Sequence, residues 1–280
     1  MTTPDSTSDS DDPEQNKMPL LGHLIELRRR LLYAAASFLG AFFACYAVKE
    51  HIYGFLVVPL AEIMQEVGGS QRMIYTAITE GFFTYIRVSA FAAVCLTFPV
   101  FAAQLWMFIA PGLYRHEKKA FLPFLVATPV LFMIGAAWAY YLVMPMAWRF
   151  LLGFQTAVGA ATVLPIQLEA KVGEYLDIVT TLMLAFGLSF EMPVLLTLMA
   201  RVGMVTSQGL ADKRRFAIVG MFVVAAVLTP PDAISQISLA IPLVVLYELS
   251  IVSCRMIEKK RREAEDAGEN EVDETDFNAT

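Results

Sequence analysis

Hydrophobic residues along this chain form long runs that charged residues interrupt mainly at the ends. A helix needs about twenty apolar residues to cross the roughly 30 Å hydrocarbon core of a bilayer. The runs that approach or exceed this length cover residues 31–48, 88–114, 120–148, 178–200 and 216–254. The pattern predicts an all-α, polytopic integral membrane protein.

The last of these runs is expected to form two spans rather than one. Thr229, Pro230, Pro231 and Asp232 interrupt it, and a proline pair cannot continue a helix. The uncharged stretch up to Pro231 would be about 24 Å long at ~1.5 Å per residue, which is short for a span. We therefore predict a hairpin of two short spans and six transmembrane helices in all, which places both termini on one side.

The distribution of Lys and Arg indicates which side that is. Sixteen of them lie on the side of the termini and four lie on the other, while Arg87 sits at the edge of the second span. The four are Lys49, Arg72, Arg149 and Lys171. Because short cytoplasmic loops retain positive charge, both termini are predicted to be cytoplasmic. The two outer loops, residues 49–81 and 145–174, are long enough for short helices at the bilayer surface.

Composition agrees with a membrane location and places the excess acid in the tails. The chain is 57% hydrophobic and 17% charged, with a formal net charge of −6. Residues 17–255 carry 17 basic and 13 acidic residues, a net charge of +4. We predict a disordered acidic tail over residues 1–17, a membrane domain over 18–255 and a disordered charged tail over 256–280. The first residues lack a basic and an apolar segment, so no cleavable signal peptide is expected.

Enzyme chemistry finds little support in the sequence. Cys45, Cys95 and Cys254 lie in or beside apolar stretches, at spacings that match no zinc site or disulfide framework. His116 and Glu117 begin like a zinc-protease helix, but alanine replaces the second histidine. A nucleophile elbow and a phosphate-binding glycine loop are also missing. We therefore expect no enzyme activity, no metal and no cofactor.

Two glutamates beside the predicted cytoplasmic surface are candidates for ligand binding. Glu26 precedes the first span in a segment with three consecutive arginines, and Glu117 lies between the second and third spans among basic residues. Glu26 could simply pair with Arg29 or Arg30 along its own helix, at ~0.2–0.5 kcal/mol, and Glu117 could be a solvated loop charge. The alternative is that the two carboxylates form an acceptor site for a cationic ligand.

Glu191 is the most informative residue within the spans. A charge near the middle of a bilayer costs on the order of 3 kcal/mol, so this side chain should face a cavity or a partner, or be protonated. Gln236, near the outer end of the last span, is a second polar candidate, although it could equally be a turn residue after the proline corner. Glu248 lies near the cytoplasmic exit of the last span and is expected to snorkel.

Four blocks of the sequence resemble the TatC family, the multispanning core subunit of the twin-arginine protein translocase. They are HLIELRRRL at residues 23–31, FIAPGLYRHEKK at 108–119, AFGLSFEMP at 185–193 and LTPPDAISQ at 228–236. The blocks occur in order, and the resemblance covers everything except the tails. The family's topology of six helices with cytoplasmic termini agrees with the charge distribution.

The resemblance implies a binding role for the cytoplasmic glutamates. Glu26 and Glu117 would receive the paired arginines of the signal peptides of folded export substrates, because planar guanidinium groups bind carboxylates bidentately. Arg28 and Phe108 are positions sensitive to change in the family. Their simpler interpretations are a snorkelling arginine and an aromatic residue packed at the interface.

The resemblance also concerns residues away from that surface. Pro59 in the first outer loop and Asp232 at the proline corner are implied to be sensitive positions, although Pro59 could simply bend its loop. Glu191, and with it Gln236, would lie on a concave face that signal peptides or partner helices can reach.

The expected function is therefore that of a receptor and scaffold in the bacterial cytoplasmic (inner) membrane. It would recruit TatA-like and TatB-like single-span subunits into a hetero- and homo-oligomer, for transport driven by the proton motive force, with no role for nucleic acid. The alternative is a proton-coupled carrier of small solutes in which Glu191 is the proton site and Arg87 its counter-ion. Repeat symmetry would favour the carrier, and none is evident in the sequence.

Overall fold

The structure is a computed structural model that describes residues 20–67, 72–109, 122–155, 168–201, 203–228 and 233–277. Two predicted functional residues, Glu117 and Asp232, lie outside these ranges. The expected all-helical architecture is confirmed: within the described ranges the β structure amounts to one isolated bridge, between Ile74 and Lys171.

Ten α-helices follow one another along the described parts of the chain. They are α1 (Leu20–Ala47), α2 (Lys49–Val67), α3 (Glu80–Ile109), α4 (Leu122–Trp138), α5 (Met144–Leu152), α6 (Val172–Ser189), α7 (Met192–Arg201), α8 (Ser207–Asp212), α9 (Arg214–Leu228) and α10 (Ala233–Phe277). A π-helical turn, Ala139–Val143, joins α4 to α5 without a break. The first predicted outer loop therefore contains the helix α2, as its length suggested.

Five segments of the described chain are long and apolar enough to cross a membrane. They are Leu24–Ala47, Glu80–Phe108, Phe124–Leu152, Val172–Arg201 and Gln236–Lys259. The sixth predicted span corresponds to α9, which has only 15 residues and a length of about 22 Å at ~1.5 Å per residue. Six spans therefore remain a prediction, because α9 is too short to qualify by length.

The centre of the bundle is a close crossing of α4 and α6. Phe132 and Phe186, one on each helix, are completely buried. The Cα atoms of Gly135 and Gly187 lie in this contact: a Cβ at Gly135 would come 2.5 Å from the Phe186 carbonyl oxygen, and one at Gly187 would come 2.6 Å from the Phe132 ring. Neither site has room for a side chain, so the glycines allow the two helices to touch.

One end of the bundle, which we call the α2 end, is formed by α2, α5 and the segments that precede α3 and α6. The Glu80 carboxylate joins the two segments, because Oε2 accepts the N–H of Thr76 at 2.8 Å and Oε1 accepts the N–H of Gly173 at 3.0 Å. Lys171 donates to Glu174 at 2.9 Å, and this hydrogen bond raises the pKa of Lys171. The first and second predicted outer loops are thus bonded to each other.

The opposite end of the bundle holds the start of α1, the end of α3 and the α8 segment. There α10 does not stop where the apolar run stops but continues to Phe277, over residues for which the sequence analysis predicts a disordered tail. Four consecutive basic residues, 259–262, precede an acidic stretch, and Lys259 pairs with Glu263 one helical turn later at 3.6 Å. Glu258 accepts the backbone N–H of Ser207 at 2.6 Å, which fixes this part of α10 to α8.

Candidate functional site

Glu26 lies in the first turns of α1 and already has a guanidinium partner. Nε of Arg30 donates to Glu26 Oε1 at 3.0 Å, and Nη2 of the same arginine donates to that oxygen too. The pair is partly accessible, with 24% of the Glu26 side chain and 20% of the Arg30 side chain exposed. The local i+4 pairing considered from the sequence is therefore present, and it shows that this carboxylate can hold a guanidinium group.

Arg28 and Phe108 lie at the same end of the bundle as Glu26. Arg28 is exposed, and Phe108 is half-buried one residue before α3 ends at Ile109. Helices α1 and α3 pack against each other, and the Lys49 ammonium just after α1 lies 5.5 Å from the Tyr85 ring in the first turns of α3. The two helices are thus antiparallel, so the end of α3 lies near the start of α1.

Glu191 sits in the turn between α6 and α7 and is only 6% exposed. Thr128 and the backbone of Phe132, both on α4, interact with its carboxyl group. Its Oε1 has no hydrogen-bond partner among the described residues. The structure thus packs this carboxyl group against α4 and leaves one of its oxygens unsatisfied.

A second polar contact lies close to Glu191. Trp106 near the end of α3 donates its indole N–H to the Thr128 hydroxyl at 3.4 Å. Trp106 and Thr128 are both buried, so α3, α4 and the α6–α7 turn meet in a small polar cluster inside the bundle. Sequence reasoning missed both residues, because a lone Thr or Trp inside an apolar run gives no signal, and their partners are distant in sequence.

The ion pair required by the carrier hypothesis is not the one that the structure shows. Nη1 of Arg87 donates to both carboxylate oxygens of Asp177, at 2.7 and 2.8 Å, across the start of α3 and α6. Arg87 is therefore paired with an acid at the α2 end. The proposal that it neutralises Glu191 loses its support.

The polar residues of the α9–α10 hairpin mainly contact the hairpin itself. Gln236 donates through Nε2 to the Phe222 carbonyl oxygen at 3.4 Å. Glu248 does not simply snorkel, because it accepts a 2.7 Å ion pair from Nε of Arg214 at the start of α9. Both contacts join α9 to α10 and stabilise the hairpin despite its short first helix.

Metal chemistry has no visible basis in the described part of the chain. No three His, Cys, Asp or Glu residues there lie close enough together to hold a metal ion. The three cysteines are free thiols, and two of them, Cys45 and Cys254, are buried.

Comparison with known proteins identifies the family. A family model described as "Sec-independent protein translocase protein (TatC)" matches residues 22–242. The TatC proteins of Magnetococcus marinus and Rickettsia prowazekii are 49% and 44% identical to this chain. The first alignment covers 92% of this chain and 91% of the relative, and the second covers 85% and 93%.

Solved structures show the same relationship. A crystal structure described as the twin arginine translocase receptor TatC has a TM-score of 0.70 and 36% sequence identity to this chain, and the match covers 84% of this chain and 99% of that one. The family is one of protein translocase components rather than enzymes. This chain belongs to the TatC family of Sec-independent protein translocase proteins.

Proposed function

We propose that this chain is the receptor and scaffold subunit of a twin-arginine translocase, which binds the paired arginines of signal peptides at its cytoplasmic surface. The observation that carries the proposal is the Glu26–Arg30 pair, a partly exposed carboxylate that already binds a guanidinium group. A related crystal structure is described as a twin arginine translocase receptor, which agrees with this role.

Binding would proceed by exchange of one guanidinium group for another. An i+4 pair on a helix surface contributes only ~0.2–0.5 kcal/mol, so an incoming arginine can displace Arg30 from Glu26 at little cost. Glu117, which follows α3 in the sequence, would receive the second arginine, with Arg28 and Phe108 beside the site. Lysine forms no planar bidentate pair with a carboxylate, and this favours arginine over lysine at both positions.

The recruitment of partners is proposed to involve the spans. One oxygen of Glu191 has no hydrogen-bond partner among the residues that the structure describes, and a donor that reached it would remove the cost of that unpaired group. Such a donor would enter from a TatA-like or TatB-like single-span helix or from a bound signal peptide, beside α4. Gln236 and Asp232 are the other proposed partner contacts. The assembled subunits would export folded proteins, and the proton motive force would drive this transport.

We expect reporter fusions to place the α2 end outside the cytoplasm. Reporters placed after Lys119 and Lys213 should read as cytoplasmic, and those after Gly69 and Gly159 as external, because the basic residues lie mainly on the side of the termini. Paired alkaline phosphatase and green fluorescent protein fusions measure this in the bacterial inner membrane. A cytoplasmic signal at Gly159 would contradict the six-span arrangement.

The function itself is tested by peptide binding. The purified full chain should bind a twin-arginine signal peptide, and charge reversal at Glu26 and Glu117 should remove that binding. Uptake of small solutes by the same protein in liposomes would instead support the carrier.

A further inference from the structure

Pro59 lies inside α2 and interrupts the hydrogen bonds of that helix. Proline has no backbone N–H, so the carbonyl group four residues earlier, that of Phe55, loses its usual helical donor. Pro59 is buried and the neighbouring Leu56 is 1% exposed, whereas Phe55 itself is 49% exposed. A backbone carbonyl group that loses its helical partner needs another donor, from water or from a side chain.

Tyr140 supplies that donor. Its hydroxyl group donates to the Phe55 carbonyl oxygen at 2.6 Å. Tyr140 is 4% exposed, and its ring stacks on the Phe55 ring with 4.4 Å between centroids and 8° between planes. The residue stands in the π-helical turn Ala139–Val143. Such turns add one residue to a helix and so change the direction in which its side chains point.

Tyr175 makes a similar contact with the next residue of α2. Its hydroxyl group donates to the Leu56 carbonyl oxygen at 2.8 Å, and the backbone N–H of Leu60 interacts with the same hydroxyl group. Tyr175 is 6% exposed and lies in the first turn of α6. In a regular helix Leu56 and Leu60 would bond only to each other, so the hydroxyl group joins the backbone of α2 beside the proline.

We propose that Tyr140 and Tyr175 are positioning residues that dock on the part of α2 opened by Pro59 and fix this helix to the third and fourth spans. Tyr140 and Pro59 work as a pair, since the proline frees the Phe55 carbonyl group and the tyrosine uses it. The proposal is independent of signal-peptide binding, because all of these residues lie at the end of the bundle opposite Glu26.

A polar contact between α2 and α5 is less suited to this task. Arg149 and Glu66 form an ion pair at 3.1 Å, but more than half of each side chain is exposed. Exposed pairs contribute little to stability and are screened by salt. The Tyr140 and Tyr175 side chains are only 4% and 6% exposed, so their hydrogen bonds are less screened by water and define the position of α2 more strictly.

The pairing of proline and tyrosine is tested by a double-mutant cycle. Tyr140→Phe should lower the thermal unfolding midpoint of the full chain in detergent by about 2–6 °C, because the Phe55 carbonyl group loses the donor that replaces its helical one. In a Pro59→Ala background residue 59 regains an N–H that can bond to the Phe55 carbonyl group. The same Tyr140→Phe change should then lower the midpoint by less than half as much. Export of a reporter substrate should likewise be reduced more by Tyr140→Phe in the natural background than by the same change in the Pro59→Ala background.

The matched control is Tyr141→Phe, which removes a hydroxyl group from the adjacent tyrosine, 70% exposed in the same turn. It should leave the midpoint unchanged in both backgrounds. The proposal would be overturned if Tyr140→Phe lowered the unfolding midpoint equally in the natural and the Pro59→Ala backgrounds. A Tyr140→Phe protein as stable as the Tyr141→Phe control would also overturn it.

Hydrogen exchange provides a second measurement that does not require a stable Pro59→Ala protein. The amides of α2 around Leu60 should exchange several-fold faster in Tyr140→Phe and Tyr175→Phe than in Tyr141→Phe. Unchanged exchange in both variants would show that the hydroxyl groups do not hold α2.

Discussion

Charge reversal at Glu26 and Glu117 is expected to abolish the binding of twin-arginine signal peptides and to leave the helix bundle intact. Each change replaces an acceptor of guanidinium groups by a positive charge that repels the ligand, and close charge pairs couple by about 1.5–7 kcal/mol. We therefore expect the affinity of either variant to fall by at least about 100-fold. Fluorescence anisotropy of a labelled peptide with the protein in nanodiscs measures this loss.

Folding should survive these changes. Glu26→Lys removes a partly exposed i+4 pair with Arg30 and adds a like charge beside it, each worth only ~0.2–0.5 kcal/mol. Asp212→Lys is the matched control, since Asp212 is an exposed acid at the end of α8, at the same end of the bundle. The control should bind normally, and Glu26→Asp should lose less affinity than Glu26→Lys. Normal binding by both reversed variants would refute the carboxylate site.

A leucine at Gly135 is expected to destabilise the protein strongly. Its Cβ would lie 2.5 Å from the carbonyl oxygen and 2.9 Å from the carbonyl carbon of Phe186, which belong to the backbone of α6. Backbone atoms cannot rotate away, so α4 and α6 would have to separate, and overpacking of this kind costs about 3 kcal/mol or more. The unfolding midpoint should fall by about 6 °C or more.

Gly220→Leu is the matched control for this prediction. Nothing lies within 4 Å of a Cβ at Gly220 in α9, so the same substitution should have little effect there. Gly187→Leu should behave like Gly135→Leu, although less severely, because its neighbour is the side chain of Phe132. Equal midpoints for Gly135→Leu and Gly220→Leu would contradict the close crossing of the two helices.

The spans could be predicted from sequence because a bilayer imposes a simple rule on composition. Uncharged runs are needed for crossing, and the runs in this chain correspond to α1, α3, α4 with α5, α6 with α7, and α10. The length of α9 could also be anticipated, because Pro230 and Pro231 limit the helix before them. The i+3 and i+4 spacings predict that Glu26 pairs with Arg29 or Arg30, and the structure shows the pair with Arg30.

The contacts at the α2 end could not be found in this way. Tyr140 and Phe55 are separated by 85 positions, and Tyr175 and Leu56 by 119. The sequence predicts that Pro59 lies in a loop, whereas it lies inside α2 and removes one helical hydrogen bond. The sequence does not show which donor replaces that bond. Local pattern rules describe neighbours three or four residues apart, whereas these bonds depend on how the spans pack.

The conformation of the C-terminal segment also depends on more than the local sequence. Clustered charges suggested a disordered tail, yet the helix α10 runs on through these residues to Phe277. Glu258, at the end of the apolar span, bonds to Ser207, 51 positions earlier, and fixes this part of α10 to the start of α8. Amino-acid composition does not reveal a contact between residues so far apart in the sequence.

The central claim is that paired arginines of a signal peptide bind beside Glu26 and Glu117, and photocrosslinking tests it most directly. A photoreactive residue at position 26 or 117 of the full chain in membranes should crosslink to a twin-arginine signal peptide, and the yield should fall at least about tenfold with a twin-lysine peptide. The same probe in place of Glu174, an exposed acid at the α2 end, should give no crosslink. Equal yields from the twin-lysine peptide, or crosslinks from position 174 in place of 26 and 117, would contradict the account.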